Sequence, residues 1–110
     1  MNENGFYQVT ATGAPITIKA GFVPAKVEVV NITDANKPTL VWYRGMAAAS
    51  AIKNQNSGRS VITTLGITPV GNVAGDAVEQ GVTIGADATV NVNGNTLLVF
   101  LTRGGEGNQF

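Results

Sequence analysis

The sequence predicts an all-β protein: a single-domain β-sandwich or jelly-roll-like barrel of short antiparallel strands, with at most one short helical turn. Three observations predict it. Fourteen glycines and four prolines cut the 110 residues into short pieces. Between these breakers lie runs of about 4 to 8 residues rich in Val, Ile, Thr and aromatics, which suit a pleated backbone. The runs recur about every ten residues with turn chemistry between them, the spacing of sandwiches and barrels. A chain of 110 residues has the commonest single-domain size, so one domain over 1–110 is expected. The tail at 104–110, Gly-Gly-Glu-Gly-Asn-Gln-Phe, is glycine-rich and expected to be flexible unless a partner holds it.

Phe6 to Thr10 and Pro15 to Ala20 read as a first pair of strands, joined by a turn at Gly13-Ala14-Pro15. Pro24 then removes a backbone donor and breaks the run. Lys26 to Ile32 alternates, with Val27, Val29 and Asn31 on one face and Lys26, Glu28 and Val30 on the other. Thr33 to Pro38 is a turn by composition. Thr39 to Arg44 pairs with the preceding strand; Leu40 and Trp42 share one face, Val41 and Tyr43 the other. Both faces are apolar, which predicts a central strand covered on both sides. Met46 to Ile52 has helix propensity but is too short to stand alone, so a helical turn or a small-residue loop is expected.

Lys53 to Arg59 reads as a polar loop, Ser60 to Leu65 as a β-branched strand ended by Gly66, and Ile67 to Val70 as a short extended piece. Gly71 to Gly81 gives no clear period, and Gly81 to Ile84 is a short strand. Ala88 to Val92 alternates, Thr96 to Leu101 is strongly apolar, and Asn93-Gly94 lies between them. That dipeptide favours positive φ, so a type I′ hairpin is predicted there.

Charged residues make up 13% of the chain, where about 25% is usual, so Asn, Thr, Ser, Gln and Gly must cover the surface. Lys plus Arg is 7 and Asp plus Glu is 7, with the cations scattered. Nucleic-acid binders concentrate a basic excess on phosphates, so no nucleic-acid partner is expected. A net charge of zero gives little colloidal repulsion and suits a protein held in an assembly. The polar opening Met-Asn-Glu-Asn-Gly-Phe-Tyr has no apolar core of a signal peptide, and no run approaches the ~20 residues of a membrane helix. With no cysteine present, synthesis in a reducing cytosol is expected.

Histidine is absent as well as cysteine, which removes Ser-His-Asp and Cys-His catalysis and the usual zinc sets. Carboxylates remain. Asp76, Glu79 and Asp87 are close in sequence, but their spacing fits no calcium loop, and solvated loop acids are the simpler reading. Gly71 to Gly75 lacks the Lys-Ser/Thr of a phosphate-binding loop. No enzyme activity and no cofactor or metal are expected. Trp42 alternates with Val41 inside an apolar run and is assigned to the core. Arg44, at a strand end, is expected to be free for charge-assisted contacts. Phe6, Tyr7 and Phe110 lie near the termini: they either anchor to a neighbouring subunit or pack in their own sheet. With Arg44 and Arg103 they form the candidate partner-contact set.

Several short motifs, Gly21-Phe22-Val23-Pro24, Val27-Glu28-Val29-Val30-Asn31, Trp42-Tyr43-Arg44-Gly45-Met46, Gly66-Ile67-Thr68, Gly81-Val82-Thr83-Ile84-Gly85 and Val92-Asn93-Gly94-Asn95-Thr96-Leu97, together resemble a group of small structural proteins of tailed bacteriophages, the capsid decoration or cement proteins. The resemblance runs from residue 21 to residue 103 and rests largely on turn residues. It implies a place on the capsid surface of the virion, self-association into a homodimer or homotrimer, and attachment to the major capsid protein. It carries no catalytic residues. A tail or fibre component, or a carbohydrate-binding module that engages a host surface, is the alternative. A small hydrolase built on Asp76, Glu79 and Asp87 is a third.

Overall fold

The computed structural model describes residues 4–34, 36–55, 58–70 and 81–102. Eight strands run in chain order: β1 Asn4–Thr10, β2 Ile16–Lys19, β3 Lys26–Asn31, β4 Thr39–Tyr43, β5 Ser50–Gln55, β6 Gly58–Val70, β7 Gly81–Ile84 and β8 Thr96–Thr102. No helix occurs among the described residues. The all-β prediction holds, and its form is one antiparallel sheet of order β1-β8-β3-β4-β5-β6-β7-β2, curled into a half-barrel.

The interior of the curl follows from period-two alternation. Cross-strand partners share a face, so the pairs Val29↔Val99, Val27↔Trp42 and Ile67↔Ile84 fix the inner side. Val27, Val29, Leu40, Trp42, Ile67, Val82, Ile84, Leu97, Val99 and Leu101 all face inward and are buried. Trp42 is only 2% exposed, and its indole N–H donates to the Ala47 carbonyl at 3.3 Å. The core assignment for Trp42 is therefore met, with its one polar atom satisfied.

Two glycines let the sheet turn a corner. The first part of β6 pairs with β5 and the last part with β7, with the register broken between Ser50 and Ala51. Here Ala49 and Leu65 take positive φ, 67° and 61°. A Cβ on Gly66 would lie 2.4 Å from the Ser50 carbonyl oxygen, and one on Gly85 2.4 Å from that of Leu65. The backbones meet this closely because Gly66 N–H donates to Ala49 and Gly85 N–H to Gly66. Such a bulge sharpens the bend of a sheet, which is how one sheet folds around its own core.

Several local expectations are corrected. β1 and β2 do not pair; they lie at opposite edges, on β8 and β7. Of Met46 to Ile52, expected as a helical turn or a small-residue loop, Ser50 to Ile52 belong to β5 and the residues before them form a non-helical turn. Of the loop expected at Lys53 to Arg59, Lys53 to Gln55 complete β5 and Gly58 and Arg59 open β6, because the register of β5 on β4 and β6 overrides local propensity. Gly66 does not end its strand, because β6 runs through it. Ala88 to Val92 is no strand. Asp87 accepts from the N–H of both Val90 and Asn91, winding the segment into a turn. Asn93-Gly94 does turn the chain, with Asn95 N–H donating to Val92, but only Gly94 has positive φ, so the turn is not type I′. β8 then pairs with β1 and β3.

Candidate protein-docking surface

The same alternation that fills the interior builds the outer face. Partners Phe6↔Phe100, Phe100↔Glu28, Glu28↔Val41, Val41↔Ile52 and Ile52↔Val61 form one unbroken row across six strands. Five inter-strand steps of about 4.8 Å make it roughly 24 Å long. Every member but Glu28 is apolar. Phe6 is 60% exposed, Val61 64% and Phe100 40%. Leu98 and Val30, paired one row away, and the exposed Tyr43 widen the band.

The two aromatic rings at its β1 end are fixed. Ala11, the residue after β1, donates to Asn95 and accepts from Gly94. The odd residues of β1 therefore bond β8, and Phe6 faces Phe100 at a non-hydrogen-bonded position where side chains come closest. Their centroids are 5.1 Å apart at 44°, a tilted contact. Further along, Val41, Tyr43, Ile52, Asn54 and Arg59 line a shallow dip of about 270 Å³. Arg59 is steadied there by donating to Asn54 at 3.1 Å, and the Lys26 ammonium sits 5.5 Å from the Tyr43 ring. The band is thus mostly apolar, with one acid near its middle and cations beside it.

Strand β4 was expected to be covered on both sides, and this is corrected. Leu40 and Trp42 are buried, whereas Val41 is half-buried and Tyr43 exposed, because no second layer lies over the outer face among the described residues. Sequence reasoning passed over Phe100, Val41, Ile52 and Val61 as surface residues. The signal was present in the lack of polar alternation in Leu40-Val41-Trp42-Tyr43 and Leu97-Leu98-Val99-Phe100.

Of the expected contact residues, Phe6 is in the band. Tyr7, its neighbour, points inward and packs against the core. Arg44 is not free: its guanidinium donates to the Val23 carbonyl at 2.6 Å, and its own N–H bonds Ala25, tying the end of β4 to the loop before β3. Arg103 and Phe110 lie outside the described residues, as do Asp76, Glu79 and the 104–110 tail.

Asp87 is a buried structural acid rather than a solvated one. Its carboxylate takes the Lys53 ammonium at 3.1 Å and both the N–H and hydroxyl of Thr89. Burial pushes its pKa up, but the bonds from Thr89 and Lys53 outweigh that and hold it below its ordinary value. Lys53, opposite Leu40, projects from the inner face of β5 to reach it.

Comparison of the chain with protein-family models, with curated proteins and with solved structures gives no match.

Proposed function

We infer that this is a non-enzymatic assembly protein that seats the outer face of its sheet on other proteins, and specifically that it decorates a bacteriophage head by binding the major capsid protein on the virion surface. The observation that carries the reading is the row from Phe6 to Val61, apolar but for Glu28 and open to solvent at Phe6, Phe100 and Val61. Strands apolar on both faces are those that proteins cover on both faces. An exposed band of this kind, rimmed by Lys26, Asn54 and Arg59, has the composition of a contact surface. The motif resemblance to decoration proteins narrows the partner to a capsid lattice. On such a lattice many equivalent weak contacts add up through avidity.

The test is sedimentation of the purified protein with expanded heads of the same phage. The wild type is expected to pellet with the shells and raise their disruption temperature, and a Phe6→Ser/Val61→Lys double variant to do neither while keeping a cooperative melt and a strand-type circular dichroism spectrum. Wild type that stays in the supernatant overturns the capsid reading. The dip beside Tyr43, with Asn54 and Arg59 as polar groups next to an aromatic ring, supports a carbohydrate-binding module as the second reading. Glycan-array binding that is lost in Tyr43→Ala would favour it.

A further inference from the structure

The two edges of the sheet differ in kind. An edge strand presents unpaired N–H and C=O groups, and proteins blunt such edges with charges, prolines, bulges or short length. The β2 edge is blunted: it has four residues, follows Pro15 and ends in Lys19. The β1 edge is not. Its seven residues, Asn-Gly-Phe-Tyr-Gln-Val-Thr, carry no charge and no proline, and they pair with β8 in unbroken register. No strand lies on the other side of β1 among the described residues.

The direction of the free groups follows from the ladder. Ala11 bonds toward β8, so the odd residues Gly5, Tyr7 and Val9 do so too, and the even residues Asn4, Phe6, Gln8 and Thr10 turn their N–H and C=O groups outward. On β8 the converse holds, since Thr96 and Thr102 accept from residues flanking β3.

We propose that β1 pairs with β1 of a second copy of this chain, antiparallel across a two-fold axis, joining two half-barrels into one continuous sheet. Two identical edge strands related by a two-fold axis perpendicular to the sheet are antiparallel and keep the same face outward, and such an interface must be self-complementary. β1 satisfies this. Centring the pair on Tyr7 gives the longest overlap, with Gly5 opposite Val9 and Phe6 opposite Gln8 of the partner copy. No like charges meet, and the outward groups of the two strands close about eight hydrogen bonds. The same pairing lays the two Phe6 and Phe100 ring pairs side by side, so the outer apolar bands of both copies become continuous. The occupant is a second copy because an uncharged strand in regular register is complementary to itself. The inference does not depend on what the outer face binds.

The experiment is sedimentation-equilibrium mass of the full chain at about 100 µM, with two variants. Gln8→Pro removes an N–H that points away from β8, so the β1–β8 ladder survives while the edge loses a donor. Gln8→Lys places a charge on the edge, the device β1 lacks. The wild type is expected to weigh twice the 11.3 kDa of one chain. Both variants are expected at the monomer mass, with melting at high dilution unchanged. A wild type that is monomeric, or a dimer mass kept by either variant that still shows a strand-type circular dichroism spectrum, overturns the proposal. Should Gln8→Pro lose that spectrum, Gln8→Lys alone decides.

Discussion

Lys53 and Asp87, 34 residues apart, meet at 3.1 Å with about a tenth of each side chain open to solvent. Their contact ties the inner face of β5 to the turn that precedes β8. Because the Asp87 pKa is lowered on folding, the pair contributes stability that is fully present above the unfolded value near 4 and is lost as pH falls through the folded value. Urea midpoints at pH 7, 5 and 3 should fall on the acid side for the wild type, and fall less for Asp87→Asn. At pH 7, Asp87→Ala is expected to cost on the order of 3 kcal/mol, since it strands a largely buried ammonium. The Lys53→Met/Asp87→Ala double variant should lose less than the sum of the single changes.

Asn91, 1% exposed, joins three loops: its amide donates to Ala14 at 2.7 Å and Gly85 at 3.1 Å, and its Oδ1 accepts from Gly13. Asn91→Ala leaves two carbonyls and an N–H without their partner and should cost about 2 to 4 kcal/mol. Asn91→Asp should be worse still, because it aims a carboxylate oxygen at two carbonyl oxygens. Thermal melts of the two variants at neutral pH check the ranking.

The glycines separate two physical roles. Gly66→Ala and Gly85→Ala drive a methyl into backbone oxygen at 2.4 Å, and each is expected to cost more than about 3 kcal/mol or prevent folding. Gly21, at φ 85° in open space, should lose only about 1 kcal/mol as Ala. Leu65→Gly should cost little despite removing a large side chain, because it releases the left-handed strain at φ 61° on a half-exposed residue. Chemical denaturation of the four variants gives the comparison.

Outer-face changes should leave folding alone. Val61→Lys and Phe100→Ser remove exposed apolar groups, so urea midpoints should stay within about 0.5 kcal/mol of wild type for Val61→Lys. Phe100→Ser should lose about 1 kcal/mol more, through the missing contact with Phe6. Reduced binding of a hydrophobic dye by both variants would check that the band is what the solvent sees.

The class of fold, the inner face of β3 and the burial of Trp42 are legible from the residues alone. These follow from local rules, since alternation in Lys26 to Asn31 sets Val27, Val29 and Asn31 on one face without knowledge of neighbours. Tertiary structure alone decided which strands meet. The partner of β1 lies 92 residues away at Tyr7↔Val99, the midpoint of its ladder, and that of β2 lies 66 residues away at Thr17↔Thr83. Local turn chemistry at Gly13 and Asn93 pointed instead to adjacent hairpins. Polar Lys53-Asn54-Gln55 became a strand because β4 and β6 supply its hydrogen bonds from both sides. The docking band was legible only in part: Leu40 to Tyr43 and Leu97 to Phe100 lack polar alternation, but an apolar residue on a strand announces burial, and only the finished sheet tells whether anything of its own covers that face.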